Sequence, residues 1–345
     1  MSELTLRQKE ILKLTIESHI ATRLPVGSRT LTERYDLGLS PASVRHEMGI
    51  LEEQGYLTHP HPSAGRMPTD RGYHLYAREV VTEEPVSEKV LKYIASEMKQ
   101  KMASLESLMA RTSSILSAVV EEAVLVMSPL PQELYLRELN LVSLGSVRLL
   151  AVWCTTSGLI QDCLIELDEP LPSEEVERIR NFINEELGGV PLASLEKELL
   201  RRIESRRDSL RRLYERTLQI IQRSTSPWGL PRLFIEGSRY ILNQPEFQDV
   251  KKFQPLLEML EEKSGLIDLL TSRPLEAGVQ VAIGEKELSK EIWDCSLVSA
   301  AYCWGGKYVG TLGVLGPRRM PYGKIMGLVH QMAREVGEKL ARWSS

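Results

Sequence analysis

The stretch from Leu39 to Tyr76, LSPASVRHEMGILEEQGYLTHPHPSAGRMPTDRGYHLY, decides the fold of the first part of the chain. It begins with a helix start signal, because the Ser40 hydroxyl can accept from the free backbone N–H groups of a first turn and Pro41 suits the first helical position. A Gln-Gly pair then ends the helix, and short extended runs alternate with Pro and Gly after it. The stretch therefore predicts a helix followed by a hairpin.

The predicted helix has two different faces. Val44, Met48 and Leu51 recur at helical spacing, so they form an apolar stripe that packs inward. The positions off this stripe near the helix start are small, polar or basic: Ser43, Arg45, His46 and Gly49. A short, polar and partly basic tip is what a helix lying in the major groove of DNA needs.

The hairpin is predicted from Tyr56–His59 and Arg66–Thr69, joined by a loop that contains Pro60, Pro62 and Gly65. From Leu57 to Thr69 the sequence has one arginine, two histidines and no acid. A stiff hairpin that carries a cation can reach the phosphate backbone or the minor groove of DNA.

Two further helices precede this one. Leu4–Ile20 is amphipathic, and after a break at Leu24–Gly27 a short second helix is predicted with Ser28 as its cap. Three helices with short connections, followed by a hairpin, are the arrangement of a winged helix-turn-helix DNA-binding domain. We assign this domain to residues 1–80.

Six side chains of this domain are candidates for DNA contact: Ser40, Ser43, Arg45, His46, Arg66 and Arg71. Ser43, Arg45 and His46 are expected to face base edges. Ser40 and Arg66 are expected to contact a phosphate or the minor groove, and Arg71 is expected to lie beside them. A second interpretation stays open, because capped helices and hairpins also occur in domains that bind no nucleic acid.

Two segments of this region, SVRHEMGILEEQGYL and PHPSAGRMPTDRGY, resemble the HrcA family of heat-inducible transcription repressors. Further along the chain, Gly237–Phe247 (GSRYILNQPEF) and Val281–Tyr322 (VAIGEKELSKEIWDCSLVSAAYCWGGKYVGTLGVLGPRRMPY) resemble the same family. The resemblance spans most of the chain in the family's order. The chain differs at His46, where the family more often has Asn, and at Pro62, where it often has Thr.

The resemblance implies an α+β multidomain protein: an N-terminal winged helix-turn-helix, then a GAF-like α+β domain interrupted by a mostly helical inserted dimerisation segment. It implies a homodimer that binds an inverted-repeat operator, known as CIRCE, near chaperonin genes. It also implies that a GroE-type chaperonin helps the repressor reach or keep its active form. Misfolded proteins would occupy that chaperonin during heat stress and leave the repressor inactive.

Beyond residue 80 the pattern of the sequence changes three times. Residues 81–122 are predicted as a linking helix, and short apolar runs predict strands within 123–170. Helical periodicity dominates 171–274, including one long charged helix over Leu192–Arg223, and strands and a terminal helix follow over 275–345. Strands on both sides of a helical block indicate an insertion into one α+β domain. Together with the resemblance, this pattern assigns residues 123–170 and 275–345 to the GAF-like domain and residues 171–274 to the inserted dimerising domain.

Length and charge narrow the class of protein. The 345 residues are 42% apolar and 26% charged, which is typical of two or three soluble globular domains. The start of the chain has no signal-peptide pattern, and no uncharged apolar run reaches about 18 residues, so a cytoplasmic location is expected. Residues 1–80 contain ten Lys+Arg and ten Asp+Glu. This balance excludes binding to DNA by charge alone and permits a specific binder with a few well-placed cations.

The sequence contains no recognisable catalytic constellation. It has no phosphate-binding Walker loop, no zinc-protease motif and no nucleophile elbow, so no enzyme activity is expected. Its four cysteines, at 154, 163, 295 and 303, lack metal-ligand spacing, and neither a metal nor a cofactor is expected. The segment Gly316–Arg319 admits two interpretations, an anion site built from its two arginines or a solvated loop.

Two other functions remain open from the sequence. One is a winged-helix regulator controlled by a small metabolite in the C-terminal domain, which a co-purifying ligand would favour. The other is an enzyme or chaperone-interaction module whose winged helix binds protein, which salt-dependent DNA affinity would disfavour.

Overall fold

The computed structural model describes residues 4–61, 64–100, 102, 104–203, 211–225, 231–247, 250–284, 288–289 and 292–343. The first elements are α1 (Leu6–Thr22), α2 (Ser28–Arg34), α3 (Pro41–Glu53), β1 (Leu57–Thr58), β2 (Met67–Pro68) and α4 (Asp70–Leu75), which continues as a π-helical turn over Tyr76–Val80. The middle elements are α5 (Glu88–Met98), α6 (Leu105–Val120), β3 (Ala123–Met127), β4 (Leu136–Ser143), β5 (Arg148–Thr155), β6 (Ile160–Glu166), α7 (Ser173–Leu187), α8 (Leu195–Ile203) and α9 (Arg211–Thr225). The last elements are β7 (Leu233–Glu236), α10 (Ser238–Leu242), α11 (Val250–Glu262), α12 (Ser264–Thr271), β8 (Val279–Ile283), β9 (Cys295–Trp304), β10 (Lys307–Pro317) and α13 (Tyr322–Trp343). The prediction of a mixed α+β chain is confirmed.

The N-terminal unit, residues 4–80, begins with three helices and an antiparallel hairpin in the predicted order, and α4 follows the hairpin. The α3 helix starts as its sequence predicts, because the Ser40 hydroxyl accepts from the Ser43 backbone N–H at 3.1 Å. The start of α2 differs from the prediction. Gly27, with extended backbone, is the N-cap residue, Ser28 is already helical, and no side chain caps the helix.

The largest sheet has five antiparallel strands in the order β7-β3-β10-β9-β8. Both of its faces are covered. Val124 and Val126 of β3 pack in the same core as the buried side of α6 and α13. Leu125 and Met127, which point the other way, pack with residues of α10, α11 and α12. The central strands are therefore buried on both sides, which is why they consist of apolar runs without polar alternation.

A second, three-stranded antiparallel sheet has the order β4-β5-β6. One face packs on α7, and Asn184 of that helix fixes β4 with two hydrogen bonds to the Leu139 backbone, at 2.7 and 2.9 Å. The sequence pattern assigns these strands to one domain with residues 275–345. In the described residues they pair only with one another, whereas β3 pairs with β10 and β7. The domain limits stay a prediction, and this pairing favours an inserted segment that begins near residue 134.

Two predicted long helices are shorter in the structure. The linking segment 81–122 contains two helices, α5 and α6, instead of one. The predicted helix over Leu192–Arg223 is also not continuous, because the side chains of Gln222 and Glu196 are hydrogen bonded at 2.6 Å. In a straight helix, 26 residues would separate these positions by roughly 39 Å. Leu195 and Leu199 of α8 are fully buried, and α8 packs against α9.

The N-terminal unit is docked on the five-stranded sheet through α4. Asp70 forms an ion pair with Arg318, in which Oδ1 and Nη1 are 2.7 Å apart. The rings of Tyr73 and Tyr76 each lie 6.2 Å from the ring of Tyr322 between centroids. An ion pair and an aromatic cluster therefore help to set the position of the N-terminal unit relative to the sheet.

Both arginines of the segment Gly316–Arg319 are engaged in the protein. Arg318 also donates to the backbone oxygen of Trp293, and Arg319 pairs with Glu246. Neither interpretation from the sequence, an anion site or a solvated loop, describes them. Each guanidinium joins segments that are far apart in the chain.

Glu122 is a buried acid between α6 and β3, and burial raises its pKa to about 8, opposed by the nearby Arg319. Because the folded state keeps a proton that the unfolded state releases near pH 4.5, we expect the free energy of unfolding to fall as the pH rises from about 4.5 to about 8. Glu122→Gln should remove this part of the pH dependence and stabilise the protein above pH 8 by a few kcal/mol.

Urea denaturation at a series of pH values tests the expectation about Glu122. The matched control is Glu121→Gln, which makes the same change at the exposed neighbouring position. The control should keep the wild-type pH profile. If Glu122→Gln also keeps that profile, the buried carboxyl is not the group responsible.

Candidate nucleic-acid interface

The N-terminal tip of α3 has the two faces that its sequence predicts. Val44, Met48 and Leu51 are buried in the three-helix core. The neighbouring positions are exposed on the other side: Ala42, Ser43, Arg45 and His46. Within the described residues Arg45 and His46 make no ion pair, so both side chains are available to a ligand. The structure brings three of the six candidate residues together on this face.

The hydroxyl of Ser40 is already used within the helix. It accepts from the Ser43 backbone and lies 2.9 Å from the Ser43 hydroxyl. Capping uses an acceptor lone pair of this hydroxyl, so its O–H can still donate to a phosphate when the Ser43 hydroxyl is the donor in their mutual contact. Its role as a phosphate ligand stays a prediction.

Glu52, near the end of α3, ties the hairpin to the helix. One carboxylate oxygen lies 2.6 Å from Nε of Arg66, and the other contacts Nδ1 of His59. The Arg66 N–H is not aligned with this contact, so the pair is an ion pair without a well-directed hydrogen bond. The positive charge of Arg66, which the sequence assigned to DNA, is therefore partly neutralised by Glu52.

Arg71 lies where the hairpin leads into α4. Its guanidinium stacks on the ring of Tyr56, 4.4 Å from the centroid, and donates to the backbone oxygen of Gln54 at 2.8 Å. These contacts hold the start of α4 against the segment that joins α3 to the first strand of the hairpin. Arg71 is exposed, but its contacts show that it positions the hairpin. Its predicted place beside the DNA stays a prediction.

A cleft of about 310 Å³ opens between α2, α3 and the hairpin, and we call it the arginine cleft. Its lining residues are Val26, Gly27, Ser28, Arg29, Arg45, Met48, Ala64, Gly65 and Arg66. Sequence analysis missed Arg29, which is exposed at the start of α2. The sequence contains one signal that could have identified Arg29. It lies in the second of the three predicted helices, and this helix lies beside the hairpin.

The floor of the arginine cleft depends on Gly65. A side chain there would place its Cβ 2.6 Å from the backbone carbon of Val26, because Val26 and Arg66 exchange two backbone hydrogen bonds of 2.8 Å. We expect Gly65→Ala to displace the hairpin and to lower the free energy of unfolding by about 1–3 kcal/mol. Thermal denaturation followed by circular dichroism measures this effect.

Gly49 provides the control for the Gly65 prediction. It lies inside α3, and a Cβ there would meet nothing within 4 Å. Gly49→Ala should raise the free energy of unfolding by up to about 1 kcal/mol, because alanine is the better helix former. Equal melting temperatures for the two variants would contradict the close approach at Gly65.

Other kinds of site are not found in the part of the chain that the structure describes. That part contains no group of three or more His, Cys, Asp or Glu residues arranged to hold a metal ion. Among the helices described, none is both long enough and apolar enough to cross a membrane.

Comparison with known proteins identifies relatives along nearly the whole chain. A family model described as the HrcA protein C-terminal domain matches residues 106–326. The heat-inducible transcription repressor HrcA of Symbiobacterium thermophilum is 33% identical over 332 residues, which cover 96% of this chain and 97% of that protein. The protein of the same name from Geobacter sulfurreducens is 36% identical over 340 residues, 99% of each chain.

A crystal structure described only as that of a hypothetical protein at 2.2 Å resolution has the same fold. It aligns with a TM-score of 0.61 at 20% sequence identity and covers 99% of this chain and 100% of that one. At this identity the likeness concerns the fold alone.

The relatives define the class of protein as a transcription repressor. The chain belongs to the HrcA family of heat-inducible transcription repressors, and the resemblance inferred from its motifs is confirmed. Because the members of this family are repressors, the prediction that the chain is not an enzyme agrees with its relatives.

Proposed function

We propose that the protein represses chaperonin genes by binding, as a homodimer, to an inverted-repeat operator of the CIRCE type. The N-terminal unit acts as a winged helix: the tip of α3 enters the major groove and the hairpin lies along the DNA backbone. The observation that carries this proposal is the exposed tip of α3, where Ser43, Arg45 and His46 share one face next to the hairpin.

The geometry of this tip fits the major groove. An α-helix with its side chains is about 10–12 Å across, and the groove of B-DNA is about 12 Å wide. The exposed end of α3 carries a guanidinium and an imidazole, which can donate to acceptors on base edges, whereas its opposite face is buried and holds the helix in place.

The proposal is tested by fluorescence anisotropy with a CIRCE-type inverted repeat and with a scrambled duplex of equal length, at near-physiological salt with competitor DNA. Binding to the repeat that is roughly 10³-fold tighter or more is the expected result. Equal weak binding to both, unchanged when a GroE-type chaperonin is added, would refute a CIRCE-type operator as the target.

The outer face of the three-stranded sheet supports the homodimer. This face lies opposite α7 and carries five apolar side chains that are at least partly exposed: Val142, Leu150, Val152, Ile160 and Leu164. Polar and charged side chains surround them on the same face: Glu138, Asn140, Asp162 and the Arg148–Glu166 ion pair. Leu150 lies between Val142 and Leu164 in register, so three apolar side chains form one row across the sheet. An exposed apolar row with a polar rim is typical of a surface that a partner covers. A second copy related by twofold symmetry presents the same surface.

The two other assigned domains are part of the same proposal. The five-stranded sheet with its helices is assigned as the GAF-like domain, and the three-stranded sheet with α7, α8 and α9 as the inserted dimerising domain. This division follows the strand pairing and differs from the assignment made from the sequence, which placed β4, β5 and β6 with the GAF-like domain at 123–170 and 275–345. Of the linking helices, α6 packs on β3 and β7 of the five-stranded sheet, and both α5 and α6 contact α13.

A GroE-type chaperonin is the proposed regulator of repression. The family name describes a repressor that responds to heat, and a chaperonin titrated by misfolded proteins supplies such a response. The experiment is to add the chaperonin to the purified protein and to measure the fraction that binds the operator. An active fraction that does not change would contradict this regulation.

Control by a small metabolite is the alternative, and one cleft of about 680 Å³ along β7 has a suitable size. Its cations are occupied by the protein: Arg232 pairs with Glu106 at 2.9 Å, and Lys263 donates to the backbone oxygen of Leu233 at 3.3 Å. These contacts favour the chaperonin-regulated proposal. A large thermal shift with a co-purified ligand would favour the metabolite.

A further inference from the structure

The arginine cleft concentrates positive charge at one place on the N-terminal unit. Arg29, Arg45 and Arg66 reach it from three different elements, and no acidic residue is among its lining residues. Arg66 is paired with Glu52. Arg29 and Arg45 are exposed and have no ion pair in the described parts of the chain. The uncompensated charge of the cleft therefore comes from α2 and α3.

The walls of the cleft are fixed before any ligand arrives. Two backbone hydrogen bonds between Val26 and Arg66 join the segment before α2 to the hairpin, and Gly65 packs directly on that segment. Glu52 holds the hairpin to α3 from the other side. A preorganised site of this kind binds a ligand without the cost of ordering its own elements.

The position of the cleft decides its ligand. A helix that enters the major groove fills it, so a row of backbone phosphates runs along each flank of the helix. The arginine cleft opens on one flank of α3, with Arg45 on its wall and the hairpin on its far side. An anion on that flank is a phosphodiester of the DNA that α3 reads.

We propose that the arginine cleft holds one backbone phosphate of the operator and that Arg29 is its principal cation. This inference rests on the proposed DNA-binding function. Arg29 supplies a contact that is independent of base sequence, whereas Arg45, on the opposite wall, points to the base edges. Arg66 contributes less, because Glu52 competes with the phosphate for its guanidinium.

The test compares Arg29→Gln with Arg34→Gln. Both arginines are exposed on α2, five positions apart, and Arg34 does not line the cleft. Affinities for the operator and for a scrambled duplex are measured by anisotropy at several salt concentrations. For Arg29→Gln the slope of log K against log salt should become shallower by about 0.9 per subunit, the value for one lost phosphate contact. The two duplexes should lose affinity by the same factor, and Arg34→Gln should keep the wild-type slope.

The possible outcomes separate the cleft from the proposed function. If the wild type binds the operator but Arg29→Gln keeps its slope, the phosphate assignment is wrong and the DNA-binding function stands. A greater loss on the operator than on the scrambled duplex also overturns the assignment, because Arg29 would then read bases. A wild type with no salt-dependent binding to either duplex removes the proposed function and the inference together.

Discussion

Arg45→Ala is expected to abolish most of the discrimination between operator and scrambled DNA while non-specific binding changes little. A guanidinium that forms two hydrogen bonds with guanine contributes about 1–3 kcal/mol of discrimination, which corresponds to a loss of about 5- to 150-fold per half-site. Arg45 can make this contact because it is exposed at the tip of α3, one position after the buried Val44. Anisotropy titrations on both duplexes measure the ratio of the two affinities.

The control variant for this prediction is Arg45→Lys. Lysine keeps the positive charge but lacks the planar fork that matches two acceptors on one base. It should therefore bind scrambled DNA as the wild type does and still lose much of the discrimination. If Arg45→Ala loses the same factor on both duplexes and Arg45→Lys restores both, Arg45 is a phosphate contact and the base-reading role is refuted.

The tip of α3 could be predicted from the sequence because its signals are local. The Ser40 cap, the first-turn proline and the spacing of the apolar residues all lie within twelve positions, and each acts through the helix itself. The two faces of α3 follow from this pattern without knowledge of any other element. For the same reason Ser43, Arg45 and His46 were found, and the structure exposes all three.

Arg29, Arg66 and Arg71 show where local signals end. Which arginine is neutralised depends on contacts between elements: Glu52 pairs with Arg66, and Tyr56 stacks under Arg71. A sequence pattern shows an arginine in a hairpin but not the acid that will lie opposite to it. Arg29 was missed because a cleft forms only when α2, α3 and the hairpin pack together.

The pairing of strands was the part of the fold that the pattern could not determine. The apolar runs that form β3 and β4 are close in sequence and have similar composition, so they were grouped in one domain. In the structure β3 pairs with β10, more than 180 residues later, whereas β4 pairs with β5. Hydrophobic periodicity predicts that a strand exists and which of its faces is buried, but the partner strand depends on tertiary packing.

The outer face of the three-stranded sheet leads to the prediction with the largest effect, that Leu164→Glu makes the protein monomeric at micromolar concentration. Leu164 is 53% exposed in one subunit, in the apolar row on the face assigned to the dimer. A carboxylate placed there would have to lose its hydration without a partner when a second copy covers it. Because two tethered winged helices bind a repeat with an avidity gain of roughly 10²–10⁴, operator affinity should fall by a similar factor. Analytical ultracentrifugation and operator titration measure the two effects.

Leu257→Glu is the matched control for the dimer prediction. Leu257 is 38% exposed on α11, outside the three-stranded sheet, so the same substitution there adds the same charge to a leucine with comparable exposure. This control should remain dimeric and bind the operator as the wild type does. A Leu164→Glu protein that stays dimeric would show that this face is not the interface, and a monomeric wild type would remove the homodimer itself. If Leu164→Glu is monomeric and still binds the operator with wild-type affinity, dimerisation does not contribute to operator affinity, and the expected avidity gain is contradicted.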